Sequence, residues 1–189
     1  VKQIIFMLLI RFFDLFIGII FFILFIPLFL IIIISIYISS GLPIIYISKR
    51  IGQYGKEFNI YKFRTMEIYN NEQPTKIGLY LRRTSIDETL QLINIIKGEM
   101  SIVGPRPLPS NQELKISKIH RKIRQSVRPG LTGLSQVNFK GPKRSISEKV
   151  VLDITMIKDF NLILYFKIIV LTFPVIFRRF YYNNKGTTL

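Results

Sequence analysis

Two adjacent carboxylates, Asp87 and Glu88, stand at the head of an apolar run with Arg82 and Arg83 before them and Arg106 after them. Such a pair can act as a nucleophile with an acidic neighbour, facing phosphates held by arginines. It can equally be an ordinary charged first turn, because free backbone N–H groups and the helix dipole favour negative charge there. Ser85 and Glu88 have the spacing of a capping box ahead of the apolar run. The spacing therefore predicts a helix from Ile86 to Lys97, stopped by Gly98. Leu90, Ile93 and Asn94 would share one face of it, and Gln91 and Ile95 another. Beyond it, Gly104-Pro105-Arg106-Pro107 is a rigid turn presenting one guanidinium, the group suited to bidentate phosphate contact. For Arg106 to meet the acid pair, the chain must fold back after the helix.

The stretch TSIDETLQLINIIKGEMSIVGPRP resembles the signature of the bacterial sugar transferase family, the monotopic phosphoglycosyl transferases. These move a sugar-1-phosphate from a nucleotide sugar to a polyprenyl phosphate. The resemblance runs from Arg11 to about Thr172.

Composition sets the outer limits. The 189 residues suffice for one domain plus an anchor. Twenty-seven basic against 11 acidic residues give a net charge of +16, which suits nucleic acid, an anionic membrane surface or phosphorylated substrates. Mean hydropathy is +0.36, high for a soluble domain. With no cysteine there is no disulfide, thiolate metal site or cysteine nucleophile, and a single histidine, His120, excludes a multi-histidine site. A metal here would be held by oxygen, which points to Mg²⁺ or Mn²⁺. There is no internal repeat and no low-complexity linker.

Leu15 to Ile38 is free of charge, about 36 Å as a helix and enough to cross a bilayer. No small-residue cleavage site marks it as a signal peptide. Pro27 in its middle removes a helix hydrogen bond and forces a bend. Basic residues flank both ends, Lys2 and Arg11 before and Lys49 and Arg50 after, and the positive-inside rule places both flanks in the cytoplasm. A re-entrant helix hairpin broken at Pro27 satisfies both observations; a full span is the other reading. Arg11-Phe12-Phe13-Asp14-Leu15 and Pro27 resemble the family's entry motif and helix-breaking proline, although Ile26 stands where the family usually has serine.

Ile44 to Ser48 and Phe58 to Phe63 read as strands of a hairpin around the glycine turn Ile51–Lys56. Lys62 and Arg64, two apart, point to one side of the strand, where they are either solvated or in contact with a diphosphate. Gly52, Lys56 and the run Tyr61-Lys62-Phe63-Arg64-Thr65-Met66 resemble a family segment closely. Asn70 to Lys76 is a polar loop, and Ile77 to Arg83 a short amphipathic segment, at the membrane surface or plainly solvated.

Asn111 to Gln125 has a basic helical pattern, with His120 solvated or membrane-facing. In the turn-rich loop from Val127 to Asn138, Gly130 and Gly133 bracket Thr132, so that either backbone approaches a ligand closely or the loop is a plain turn between core elements. This loop resembles the family's RPG-x-TG pattern, which implies a phosphate contact for Arg128. Asn138-Phe139-Lys140-Gly141 departs from the family's usual NGRN. Ser147 to Phe160 reads as a helix carrying Asp153, either a metal ligand or a partner for an arginine. Leu162 to Phe177 reads as an interfacial helix, with Tyr165 where the family often has aspartate, and Tyr181 to Leu189 as a loose tail.

The expected fold is α+β. A membrane-embedded re-entrant helix occupies residues 1–40. Residues 41–189 form a small, mainly helical cytosolic catalytic domain with a short β-hairpin and interfacial amphipathic helices. The resemblance implies transfer of a sugar-1-phosphate from a UDP-sugar to undecaprenyl phosphate, with release of UMP, on the cytoplasmic face of the bacterial inner membrane. It would be the first membrane step of capsule, O-antigen, exopolysaccharide or glycoprotein glycan synthesis, upstream of further glycosyltransferases. Asp87 would be the nucleophile and a Mg²⁺ ligand, with Glu88 supporting it. Lys62, Arg64, Arg82, Arg106 and Arg128 would bind phosphate oxygens, with Asp153 also in the substrate-binding set. The rival reading is a non-enzymatic, membrane-tethered basic module for anionic lipid or nucleic acid; a weaker one is a metal-dependent phosphohydrolase. The transferase reading includes no nucleic-acid partner.

Overall fold

The computed structural model describes residues 2–68, 73–138 and 145–184, so Phe139, Lys140, Gly141 and the first three residues of the loop expected at Asn70 to Lys76 lie outside the described residues. The chain opens with α1 (Lys2–Leu24) and α2 (Ile26–Ser40), which meet at Phe25. Pro27 lies in the first turn of α2, where its missing N–H costs least. Helical hydrogen bonds continue on both sides, from Phe25 N to Phe21 O and from Phe29 N to Phe25 O, so the break is a kink and not a loop. The segment Ile4–Leu24 is long and apolar enough to cross a membrane. Gly41, at φ 68°, ends α2.

The expected hairpin is present and longer than the sequence suggested. Strands β1 (Ile45–Ile51) and β2 (Glu57–Phe63) pair antiparallel from Ile45↔Phe63 to Ile51↔Glu57. A short 3-10 turn joins them, with Tyr54 and Gly55 both at positive φ. The amphipathic segment forms α3 (Lys76–Thr84), capped by the Thr75 side chain on the Gly78 N–H.

The helix predicted from Ile86 to Lys97 is replaced by two pieces. Ser85 takes a left-handed conformation at φ 57° and makes no side-chain cap. Ile86–Gln91 is 3-10, and only Leu92–Lys97 is α-helical (α4), ended as expected by Gly98 at φ 85°. The capping box fails because the Glu88 carboxylate is engaged by two cations of the site instead.

Two strands were not legible. β3 (Ser101–Val103) and β4 (Gly130–Thr132) form a parallel pair, Ser101↔Gly130 and Val103↔Thr132, too short to show a period. They explain the glycines around Thr132. A Cβ on Gly130 would collide with the Gly104 nitrogen, and one on Gly133 with the Gly104 oxygen. The glycines thus admit backbone against backbone, as in a turn between core elements, in place of a ligand.

The helix expected at Asn111–Gln125 is also two: α5 (Ser110–Glu113) and α6 (Lys118–Arg124), the latter capped by Ser117. Then come α7 (Leu134–Val137), α8 (Ile146–Lys158) with a Ser145/Glu148 capping box, and α9 (Leu162–Asn184) with Pro174 inside. α9 continues beyond Tyr181, where a loose tail was expected.

The core explains the arrangement. Ile10 of α1, Ile60 of β2, Leu92 and Ile95 of α4, Met156 of α8 and Tyr165 and Ile168 of α9 pack as one cluster. A second joins Phe29, Ile32 and Ile36 of α2 to Phe63, Leu81 and Leu90. The N-terminal helices are therefore docked on the domain. Polar pins reinforce this. Buried Asp14 Oδ1 accepts from Ser101 Oγ, the Ile102 N–H and Tyr165 OH. Arg11 donates to the Ile95 and Ile96 carbonyls at the end of α4. On the far side, large apolar residues of α1, α2 and α9 stay exposed, among them Ile38 (78%), Ile163 (81%) and Phe177 (74%), an outer surface that water would not favour.

Candidate active site

The acid pair is positioned from two sides. Leu90 sinks into the second core cluster, and the 3-10 segment packs against β2, which presents Lys62. The fold-back predicted after Gly98 also occurs: β3 returns the chain, and the turn after it brings Arg106 to Glu88. Lys62 Nζ lies 2.7 Å and Arg106 Nη2 2.9 Å from the same atom, Glu88 Oε1. Arg82 flanks Asp87, and its Nε donates to Thr65 Oγ1 at 2.8 Å.

The two neighbours consequently differ in proton affinity. The Asp87 pKa is raised to about 6, first by burial and then by the adjacent Glu88 charge, against opposing pulls from Lys62 and Arg82. For Glu88 burial alone would act upward, but Arg106 and Lys62 more than offset it and hold its pKa at about 2. There is no α-helical first turn here, and burial dominates. At neutral pH Asp87 is nonetheless mostly carboxylate.

Behind Arg106 stands a buried network. Arg124 Nη2 donates to the Arg106 carbonyl at 2.7 Å. Arg124 is itself held by Glu113 Oε2 at 2.6 Å and Asp153 Oδ2 at 3.1 Å, all three side chains being almost completely buried. Of the two roles open to Asp153, the structure places it as the arginine's partner. Arg124 and Glu113 were missed because in sequence they belong to a basic amphipathic pattern that reads as surface. His120 is exposed, as expected.

Arg64 and Arg128, expected on phosphates, are placed elsewhere. Arg64 is buried, and its Nη2 donates to Ser40 O, Ser40 Oγ and Gly41 O, closing the end of α2. Arg128 Nε donates to Gly98 O at the end of α4, beside Arg11. Both sit where helix carbonyls lack partners and the dipole favours cations.

A cavity of about 200 Å³ opens next to Glu88, walled by Arg50, Ile60, Lys62, Gln91, Arg106 and Gln112. Glu88 itself lines it, whereas its chain neighbour Asp87 is not among the lining residues. Arg50, Gln91 and Gln112 were not singled out from sequence. Among the described residues no three His, Asp or Glu side chains gather into a metal cage. The donor set fits Mg²⁺ in the other usual way, with one or two carboxylates and the remaining ligands from substrate phosphate and water.

Fold and site define a protein with a helix long and apolar enough to cross a membrane and a carboxylate, Glu88, among the cations of a cavity, and similarity to known proteins agrees. The description "bacterial sugar transferase" matches residues 5–179, and the chain belongs to that family. It is 35% identical to the UDP-glucose:undecaprenyl-phosphate glucose-1-phosphate transferase of Xanthomonas campestris pv. campestris, over 77% of this chain and 34% of that protein. The sugar transferase EpsL of Bacillus subtilis is 35% identical over 88% of this chain and 86% of its own length. ExoY of Sinorhizobium fredii, an exopolysaccharide production protein, is 33% identical over 88% and 84%. The chain spans about a third of the length of the glucose-1-phosphate transferases it matches.

Proposed function

We propose that this chain transfers a sugar-1-phosphate from a UDP-sugar to undecaprenyl phosphate through a covalent intermediate on Asp87. The observation that carries this reading is the unequal acid pair. Glu88, held by two cations, is a fixed, weakly basic anion. Asp87, free of such a clamp and more basic, is the better nucleophile while still ionised at neutral pH.

In the first step an Asp87 carboxylate oxygen forms a bond to the sugar-proximal phosphorus. The bond from that phosphorus to the bridging oxygen breaks, and UMP leaves with the electron pair. In the second, an oxygen of undecaprenyl phosphate attacks the same phosphorus and the Asp87 carboxylate is released. Lys62, Arg82 and Arg106 neutralise phosphate oxygens, and Glu88 holds Lys62 and Arg106 in place between turnovers. Mg²⁺, held by Asp87 and Glu88, would neutralise diphosphate charge. The Glu113–Arg124–Asp153 network fixes the backbone from which Arg106 projects.

The membrane elements suit the lipid substrate. The exposed apolar faces of α1, α2 and α9 would lie in or on the bilayer, with residues 1–40 embedded and residues 41–189 on the cytoplasmic face of the inner membrane. The kink at Phe25–Pro27, with basic flanks on both ends, supports a re-entrant course. The product would be extended by glycosyltransferases in surface polysaccharide synthesis, and ExoY's name favours exopolysaccharide.

The test is UMP release from a panel of UDP-sugars by detergent-solubilised protein with Mg²⁺ and undecaprenyl phosphate. The expected result is release with at least one sugar by the wild type and none by Asp87→Asn. Folded wild-type protein that releases UMP from no sugar would contradict the reading.

A further inference from the structure

The cavity beside Glu88 contains a cation to which the mechanism above gives no task. Arg50 pairs with Phe58 across the hairpin, and Tyr46 pairs with Lys62. Directly paired residues share a face, and residues two apart along a strand return to it. Arg50 and Lys62 therefore stand on one face, four residues apart along the ladder, or about 13 Å between backbones. Both line the same cavity. It thus has two cationic ends, one at Lys62 beside Glu88 and one at Arg50.

The two ends are not equivalent. Lys62 and Arg106 share an oxygen of Glu88. Among the described residues Glu88 takes no hydrogen bond from Arg50, whose Nη1 donates to the carbonyl of its own neighbour Lys49. Half-buried and repelled by Arg106, Arg50 holds its proton less tightly than usual. Such a cation is better stabilised by an arriving anion. The walls between the ends carry the amides of Gln91 and Gln112, which offer donors and acceptors together, and the apolar side chains of Ile60 and Leu131. About 200 Å³ is smaller than a pocket for a whole drug-sized ligand (roughly 300–1,000 Å³) and suits one half of a nucleotide sugar.

We infer that Arg50 binds the phosphate of the departing nucleotide, and that the cavity between the β1–β2 hairpin and the Pro107–Gln112 segment takes the nucleoside monophosphate half of the donor. This rests on the transferase reading and gives its leaving group a place. As the bond between the two phosphates breaks, negative charge grows on the UMP oxygen, and a guanidinium already in position stabilises it. The Gln91 and Gln112 amides face the base or ribose, and the sugar lies at the Asp87 end.

The experiment measures UMP binding by equilibrium dialysis, and KM for the donor, on full-length protein in detergent. It compares the wild type with Arg50→Ala, Arg50→Lys and Arg50→Gln. The glutamine variant keeps an unbranched polar side chain on the strand, without the charge, should the alanine variant fail to fold. Loss of a charge-assisted contact is expected to weaken UMP binding about tenfold or more in the alanine and glutamine variants. The lysine variant should recover part of this, with KM following. UMP binding within about twofold of the wild type in folded Arg50→Gln would overturn the inference, even if the wild type releases UMP and the transferase reading stands. Conversely, Arg50-dependent UMP binding by a protein that releases no UMP from any UDP-sugar would uphold the nucleotide site and sink the transferase.

Discussion

Asp87 and Glu88 are chain neighbours, yet one carboxyl is held at about 6 and the other at about 2. The difference comes from Lys62 and Arg106, which both reach Glu88 Oε1 and leave Asp87 to the effect of burial. A pair separated in this way can divide labour, one group reacting and the other organising cations.

The first prediction concerns pH. If Asp87 must be ionised to attack, the donor half-reaction should rise through about pH 6 and level off above pH 7. Lys62→Met removes an influence that lowers the Asp87 pKa and should move the midpoint upward. Glu88→Gln removes one that raises it and should move the midpoint downward. Rates of UMP release from pH 5 to 8 check both. A midpoint that stays fixed in both variants would dissociate the profile from Asp87.

The same shifts act on stability, with opposite signs. Asp87 binds its proton more tightly folded than unfolded, so its contribution falls as pH rises from about 4 through 6. Glu88 binds its proton less tightly when folded, so its contribution is present above its usual range near 4.5 and is lost as pH falls toward 2. Asp87→Asn should therefore be at least as stable as the wild type at pH 7.5, by about 1–3 kcal/mol, while inactive. Thermal unfolding in detergent measures this. A strongly destabilised Asp87→Asn would show that the side chain is a structural ligand.

Arg124 should be the costliest residue to lose among those that touch no substrate. Arg124→Met leaves the Glu113 and Asp153 carboxylates buried without their cation and frees the Arg106 carbonyl. A loss of about 3–5 kcal/mol is expected. Arg124→Lys should not restore it, because one ammonium cannot replace the planar fork. An unchanged unfolding midpoint in Arg124→Met would refute the network's role.

Arg64 separates sequence expectation from structural placement. As a phosphate ligand, its loss would raise KM for the donor. As the closing group of α2, its loss should lower the unfolding temperature and leave KM within about twofold. The second outcome is predicted, from kinetics and unfolding of Arg64→Ala side by side.

Long patterns were legible in the sequence, and short ones were not. The charge-free run, the break near Pro27, the β-hairpin and the Gly98 stop each follow from a local rule that tertiary contacts did not overturn. The predicted helix at Ile86 failed because its capping glutamate had stronger partners 26 and 18 positions away in Lys62 and Arg106. The parallel pair β3–β4 was invisible because three-residue strands carry no period, and its glycines serve a backbone contact that no local rule announces. Asp87, Glu88, Lys62, Arg82 and Arg106, singled out from the sequence, are brought together by the fold. Arg50, Arg124 and Glu113 were not singled out, because the sequence does not tell which basic residues point inward. Tyr165, which departs from the family pattern, proves to be a fully buried partner of Asp14, 2.9 Å away across 151 positions.

The most direct measurement is intact mass after incubation with a UDP-sugar and Mg²⁺ in the absence of undecaprenyl phosphate, followed by peptide mapping. The expected result is a gain of one sugar phosphate per chain, located on the peptide containing Asp87, matched by one UMP released and discharged when undecaprenyl phosphate is added. UMP release during full turnover with no adduct on that peptide, or an adduct that survives in Asp87→Asn, would contradict it.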